Sequence, residues 1–153
     1  MAQTTFDGID AVKAAVGTHL GHSDWVEVTQ AMVQTFADAT GDHQWIHVDV
    51  ERANAESPFG GPIAHGYLTL SLTNLFLPQV VEVQGISAGL NRGTGKIRFP
   101  APVPVGSRLR AGVELVAVDD VPGGIDTTMV ITVEREGADK PVCVVESLSR
   151  YLA

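Results

Sequence analysis

The sequence predicts an α+β fold in which a mainly antiparallel sheet wraps around one very apolar helix. Three observations predict it. Helical patterns occupy the first half of the chain, one long apolar stretch follows, and the last third alternates apolar and polar residues with period two. The segments 121–124 and 136–139 between the alternating runs have turn composition and are too short for crossover helices, so neighbouring strands are expected to run antiparallel.

Length and composition favour a single globular domain. The chain has 153 residues, of which 44% are hydrophobic, so it can bury one core of ordinary size. We assign residues 1–153 to one domain, in which residues 1–22 form an N-terminal helical segment that precedes the core. The net charge of −8 disfavours nucleic acid and anionic membrane surfaces as partners.

Cysteine content and hydropathy predict a cytoplasmic protein. Cys143 is the only cysteine, which excludes an intramolecular disulfide and a four-cysteine zinc site. No apolar run has the length of a signal peptide core or a membrane span. We therefore expect no membrane association.

The first half of the chain predicts helices separated by one short strand. Apolar residues recur at helical spacing between residues 7 and 20, where Gly21 is expected to end an amphipathic helix. Residues 25–28 alternate as in a strand, after which Thr29 can cap a second helix that ends at Gly41. Proline and glycine interrupt residues 42–62, which predicts a long loop region with a helical turn or two near residues 50–56.

The second half predicts the central helix and the sheet. Apolar residues between 65 and 77 surround the helical axis, as in a helix buried on most sides, and Pro78 is expected to stop it. Four strands are then expected, at residues 96–99, 108–118, 126–134 and 142–152.

Two titratable side chains, Asp42 and His47, are candidates for catalysis. They lie five residues apart across a break in helix, so a loop could bring them to one small molecule. A carboxylate and an imidazole form a natural acid–base pair near neutral pH. On spacing alone, a turn at Gly41-Asp42 and a structural His47 are the more common explanation.

A longer motif surrounds this pair. The pattern Gly41-Asp42-x-x-x-x-His47-x-Asp49, preceded by Phe36-Ala37 and followed by Pro62-Ile63-Ala64-His65-Gly66, resembles the hydratase 2 motif of MaoC-like (R)-specific enoyl-CoA hydratases. The resemblance extends from about Trp25 to the C-terminus and implies a hot-dog fold, in which an antiparallel sheet wraps a central helix. One departure is Gln44-Trp45, where the family usually has Asn-Pro.

The resemblance implies that Asp42 and His47 activate one water for addition across a trans-2-enoyl thioester. Charge then develops on the thioester oxygen and needs a donor. The Gly66 backbone N–H, at the start of the central helix, is the expected donor. Gln44 and Asn74 carry amides that could contact the substrate, whereas His65 is expected to support the loop.

A coenzyme A ester also carries phosphates, which a net charge of −8 repels unless basic residues are grouped. Half of the Lys and Arg residues are grouped, at Arg92, Lys96, Arg98, Arg108 and Arg110. We expect Arg92, Lys96 and Arg98 to bind substrate, although a solvated sheet face explains the group equally well.

The leading prediction is an (R)-specific enoyl-CoA hydratase that needs no metal or redox cofactor. The spacing of His43, His47 and Asp49 is the one weak sign of a metal site. The alternatives are a (3R)-hydroxyacyl-acyl carrier protein dehydratase, an acyl-CoA thioesterase, or a non-catalytic binding module. We expect a homodimer, since exposed strand edges favour pairing between copies.

Overall fold

The computed structural model describes residues 2–153, which form six short helices and eight strands. The helices are α1 Ile9–Ala14, α2 Gln30–Thr40, α3 Trp45–Val48, α4 Val50–Glu56, α5 Gly66–Ser71 and α6 Thr73–Val80. The strands are β1 Thr4–Asp7, β2 Thr18–His22, β3 Val26–Glu27, β4 Val81–Gln84, β5 Ala88–Arg98, β6 Arg108–Val121, β7 Gly124–Arg135 and β8 Pro141–Leu152.

The main sheet has the order β2-β6-β7-β8-β5, and β3 also pairs with β6. Every pair in it is antiparallel, as predicted. The β6–β7 turn at 121–124 and the β7–β8 turn confirm both predicted hairpins, and Gly123 in the first has a φ of 82° that favours glycine. All four predicted strands are present, with β5 longer than expected. The predicted α+β, hot-dog architecture is therefore confirmed.

The central helix consists of two segments, α5 and α6, which pack against the concave face of the sheet. Its core-facing residues, such as Phe76 and Val80, belong to the same buried core cluster as alternate residues of β6 and β7, such as Val113 and Ile131. The prediction that Pro78 stops the helix is wrong, because α6 continues to Val80. Proline removes only its own N–H, whose partner would be the carbonyl of Asn74, an exposed residue that water can reach.

The predicted N-terminal helix over residues 1–22 is also wrong in extent. Within residues 2–22, only α1 is helical, and β1 and β2 flank it. Gly8 and Gly17 have φ values of 83° and 87°, which end the helix on both sides. The segment then joins the fold by pairing, since β1 runs parallel to β4 and β2 forms an edge of the main sheet. Among residues 2–153, no helix has the length and hydropathy required to cross a bilayer.

Candidate active site

The end of α2 determines where Asp42 lies. Thr29 caps the start of this helix, where its hydroxyl accepts a hydrogen bond from the Met32 N–H at 3.2 Å. Gly41 ends the helix in the left-handed region at a φ of 84°, a conformation that glycine adopts without strain. Both predicted boundaries are confirmed. The chain leaves the helix at this point, and the Asp42 side chain is half exposed.

His47 lies on the single turn α3 and is buried. Its Nδ1–H donates to the Ile63 carbonyl at 2.7 Å, which leaves the lone pair of the neutral ring on Nε2. The Gln30 side chain fixes the same turn by donating from Nε2 to the His47 carbonyl at 2.8 Å. The imidazole is therefore held in one orientation with one nitrogen available as a proton acceptor.

Asp42, His47 and His65 meet at the N-terminal end of the central helix. One ligand atom from each lies within 4.8 Å of the other two. A water molecule that hydrogen-bonds two groups at about 2.8 Å can span up to roughly 5.6 Å between them. A single water can therefore contact both Asp42 and His47, and the exposure of Asp42 gives it access from solvent.

His65 connects the Asp42 loop to the central helix. Only 3% of its surface is exposed, and its Nε2–H donates to the Asp42 carbonyl at 2.9 Å. The His65 ring stacks on that of His47 at a centroid distance of 3.9 Å, and Phe36 contacts it from another side at 4.9 Å. These contacts agree with the predicted role of His65 in supporting the loop.

Replacing His65 with phenylalanine should reduce kcat by between about ten- and a hundredfold, because small displacements of catalytic groups have effects of this size. Phenylalanine keeps the stacked ring but removes the N–H that holds the Asp42 carbonyl. Steady-state kinetics should register the loss in kcat with little change in KM. The matched control is His22→Phe, because His22 lies on the outer face of the sheet. If the wild-type protein and both variants have equal kcat values, the hydrogen bond from His65 to the Asp42 carbonyl does not position Asp42.

Gly66 is the first residue of α5, so its N–H has no partner within the helix. A Cβ built at this position would lie 3.4 Å from the ring of Phe99, which packs directly against the glycine. The predicted role of Gly66 as donor to a thioester oxygen fits this position and remains a prediction.

The residues with metal-like spacing in the sequence do not converge. His43 Nε2 pairs with Asp38 at 2.9 Å, and this hydrogen bond raises the pKa of His43 and lowers that of Asp38. Asp49 instead caps α4 by accepting from the Arg52 N–H at 3.0 Å. Within the Asp42–His47–His65 cluster, His65 Nε2 donates to the Asp42 carbonyl, so the lone pair of the neutral ring lies on Nδ1, which has no hydrogen-bond partner among the described residues.

The two predicted amides lie in different places. The Gln44 N–H donates to Asp42 Oδ1 at 3.3 Å, so its contact with the acid–base pair runs through the backbone. Asn74 lies on α6, farther along the central helix, where it lines a cleft of about 440 Å³.

Burial raises the pKa of the Cys143 thiol to about 11, in keeping with a core residue that is not a nucleophile.

The five basic residues that the sequence groups together differ in whether they form salt bridges. Arg92 lies 3.0 Å from Asp126, which also binds Arg150, so its charge is already compensated. Arg108 and Arg110 pair with glutamates of β7 and the following turn. Within residues 2–153, Lys96 and Arg98 form no salt bridge, and both are exposed near the end of β5, next to Phe99.

The sequence did not reveal the carbonyl of Ile63 or the amide of Gln30 as partners of His47. Both are distant in sequence, and a backbone carbonyl leaves no signature in residue type. The apolar residue pattern around Gln30 predicted only a helix.

Comparison with known proteins supports the motif. Residues 11–136 match the family model of the MaoC like domain. The chain is 53% identical over 150 residues to 3-hydroxyacyl-thioester dehydratase Z from Mycobacterium tuberculosis, covering 97% of this chain and 99% of that protein. It is 44% identical over 136 residues to nodulation protein N from Rhizobium leguminosarum bv. viciae, covering 85% and 82%.

A solved structure agrees with the sequence relatives. The fold superposes on the unliganded R-hydratase PhaJ1 from Pseudomonas aeruginosa with a TM-score of 0.72 and 25% identity, covering 90% of this chain and 81% of that one. The family model alone spans most of the chain. The protein therefore belongs to the MaoC-like dehydratase family.

Proposed function

We propose that this protein catalyses the (R)-specific hydration of trans-2-enoyl-CoA to (3R)-hydroxyacyl-CoA and the reverse dehydration. The observation that carries the proposal is the approach of Asp42, His47 and His65 to within 4.8 Å beside the free N–H of Gly66. The similarity to a 3-hydroxyacyl-thioester dehydratase over nearly the whole chain supports the same class of reaction.

The chemistry follows from the hydrogen bonds of the site. Asp42 and His47 Nε2 hold one water, whose oxygen forms a bond to C3 while one of them takes its proton. The electron pair of the C2–C3 double bond moves towards the thioester oxygen, where the Gly66 N–H stabilises the enolate. The protonated group then delivers a proton to C2, and the thioester bond stays intact.

Stereochemistry tests the proposal. Because the same small group of side chains takes one proton and returns one, hydroxyl and hydrogen should add to the same face of the enoyl chain. Hydration in D₂O should therefore place deuterium at C2 on the same face as the new hydroxyl, which NMR reads from the relative configuration of C2 and C3. Chiral chromatography of the hydrolysed product should separately give the (3R)-hydroxy acid that the motif implies. A racemic or (3S) product would contradict the proposal.

We propose coenzyme A as the carrier of the acyl group, on the basis of Lys96 and Arg98, the two members of the basic group that form no salt bridge among the described residues. Lys96 and Arg98 share one face of β5, and the next residue, Phe99, packs on Gly66. Phosphates of coenzyme A that reach this strand end would meet these two cations, beside which the Glu146 carboxylate also lies. An acyl carrier protein is the alternative, since it presents acidic residues to the same charges.

Removing both charges should show whether Lys96 and Arg98 bind the nucleotide part of coenzyme A. In Lys96→Ala/Arg98→Ala, KM for the CoA thioester should rise about tenfold, as expected when charged hydrogen bonds to phosphate are lost. KM for the matching pantetheine thioester, which lacks the nucleotide, should not change. Arg108→Ala is the control because Arg108 already pairs with Glu136. If KM for the CoA thioester is the same in the wild-type protein and in the double variant, the proposed contact of Lys96 and Arg98 with coenzyme A is contradicted.

We also propose a homodimer. β5 is the last strand of the sheet order and lies almost entirely exposed along its 11 residues. Leu90 on this strand and Tyr67 and Leu75 on the central helix are exposed apolar residues. An open edge and an apolar flank together favour pairing with a second copy. Light scattering should give twice the monomer mass of 16.2 kDa, and a monomer at working concentration would contradict this.

A further inference from the structure

The edge strand β2 carries two histidines on the outer face of the sheet. In a regular strand, residues three apart in sequence point to opposite faces. A bulge between His19 and Gly21 shifts the register of β2 against β6, so that His19 and His22 both turn to the outer face. Their ring centroids lie 4.8 Å apart. The bulge therefore brings together two imidazoles that the strand period would separate.

Gly112 on β6 makes room for both rings. It pairs in register with His22, and a Cβ built on it would lie 3.1 Å from Nε2 of His19 and 3.1 Å from Nε2 of His22. The missing side chain thus leaves one position that is close to both nitrogens. Zinc–nitrogen bonds are about 2.0–2.1 Å long, so an ion at this position would need each nitrogen to move by about 1 Å. Both histidines are exposed, and rotation of their side chains can supply this movement.

Two carboxylates border the same hollow, which has a volume of about 190 Å³. Glu134 is already paired with Arg110. Glu114 pairs in register with His19 across the two strands, and its side chain forms no hydrogen bond or salt bridge within residues 2–153. The Glu114 carboxylate has to turn towards the rings to share an ion with them, and no partner in the described part of the chain holds it back.

The protonation of the two rings affects how well they bind a cation. Burial, followed by the charges of Arg110 and His19, lowers the pKa of His22, so this ring is neutral and has a lone pair at neutral pH. His19 Nδ1 accepts a hydrogen bond from the Gly21 N–H at 3.1 Å, which leaves the proton of the neutral ring on Nε2. Coordination through His19 Nε2 therefore moves that proton to Nδ1 and breaks one exposed hydrogen bond. We expect a moderate affinity for this reason.

The donor atoms around the hollow favour a transition metal. Neutral imidazole suits zinc, nickel and copper, whereas calcium and magnesium take mainly oxygen ligands. Two imidazoles, one carboxylate and a water molecule supply the four ligands that zinc prefers. An anion, by contrast, would meet two carboxylates at the rim of the hollow.

We propose that His19, His22 and Glu114 bind one divalent transition-metal ion, such as Zn²⁺, on the outer face of the sheet. The ion would fasten β2, a five-residue edge strand, to its neighbour β6. Because folding brings these ligands together, the ion binds the folded chain more tightly than the unfolded chain and stabilises it. The site does not include Asp42 or His47 and is independent of the proposed function.

The test is isothermal titration calorimetry with ZnCl₂ on the full chain without a histidine tag. We expect one Zn²⁺ per chain. Loss of a residue that only supports a metal ligand weakens affinity by about 10–100-fold, so His19→Phe and His22→Phe, which remove ligands, should each weaken it by at least about tenfold. His43→Phe removes an exposed histidine elsewhere and should keep the wild-type affinity.

A variant that keeps all three ligands tests the geometry. In Gly112→Ala the new methyl group fills the position between the rings, and its three nearest atoms belong to the side chains of His19 and His22, which can turn outwards. The fold should therefore persist, with a Tm in the absence of zinc close to that of the wild-type protein, while the affinity for Zn²⁺ falls. Saturating Zn²⁺ should raise the Tm of the wild-type protein by several degrees and leave that of His22→Phe unchanged.

The catalytic pair is the competing location for an ion. Asp42→Asn/His47→Ala should bind Zn²⁺ as tightly as the wild-type protein. Zinc binding that is lost in this variant but kept in His19→Phe, His22→Phe and Gly112→Ala would overturn the proposal. A wild-type protein that gives no binding heat and no change in Tm with Zn²⁺ would overturn it as well.

Discussion

Replacing Asp42 with asparagine is expected to reduce kcat for enoyl-CoA hydration by about a thousandfold, within the range reported for loss of a general acid or base. Asparagine is nearly isosteric and can still hydrogen-bond a water, but it cannot take or return a proton. The fold should be unaffected because the Asp42 side chain is half exposed and the loop is held by its backbone carbonyl, which accepts from His65.

The size of this effect is best judged against two further variants. Glu51→Gln removes a carboxylate from the exposed start of α4 and should leave kcat unchanged. Asp42→Asn/His47→Ala should be little worse than either single variant, because residues that act as one unit are not additive. Full activity in Asp42→Asn, with product confirmed, would remove Asp42 from the mechanism.

Truncating Phe76 to alanine is expected to lower the free energy of unfolding by about 3–5 kcal/mol. Phe76 is fully buried on α6, in the core cluster between the central helix and the sheet. Alanine would leave a cavity that the surrounding strands, paired on both sides, cannot close. Urea unfolding at one fixed protein concentration measures the change, since an oligomer's stability depends on concentration.

Val50 provides the apolar control for Phe76. It lies on α4, away from the central helix, and 42% of it is exposed. Val50→Ala should change the free energy of unfolding of the protein by much less than Phe76→Ala. Similar losses for the two variants would mean that the central helix is not buried by the sheet in the way described.

The sheet could be predicted from the sequence because its information is local. β6, β7 and β8 alternate inward apolar and outward polar residues, and turn residues such as Gly123 lie between them. The N-terminal segment could not be predicted in the same way. Its apolar residues fit a helix, but glycines at positions 8 and 17 and pairing with distant strands decide its structure.

The candidate site shows the same division. Asp42 and His47 stand out in sequence because the motif that carries them is short and contiguous. The stacking of His65 on His47, and the pairing of Arg92 with Asp126, depend on residues brought together by the fold. No periodicity or spacing encodes such contacts. The basic group of five therefore separates in the structure into paired arginines and the two free cations Lys96 and Arg98.

The most direct test of hydration is to incubate the purified protein with a short trans-2-enoyl-CoA and follow two signals together. These are the absorbance of the conjugated enoyl thioester and the concentration of free thiol. Hydration consumes the conjugated bond and leaves the thioester intact, so we predict a fall in absorbance without release of thiol. Release of thiol would establish a thioesterase instead, and no change in either signal would contradict catalysis on coenzyme A thioesters.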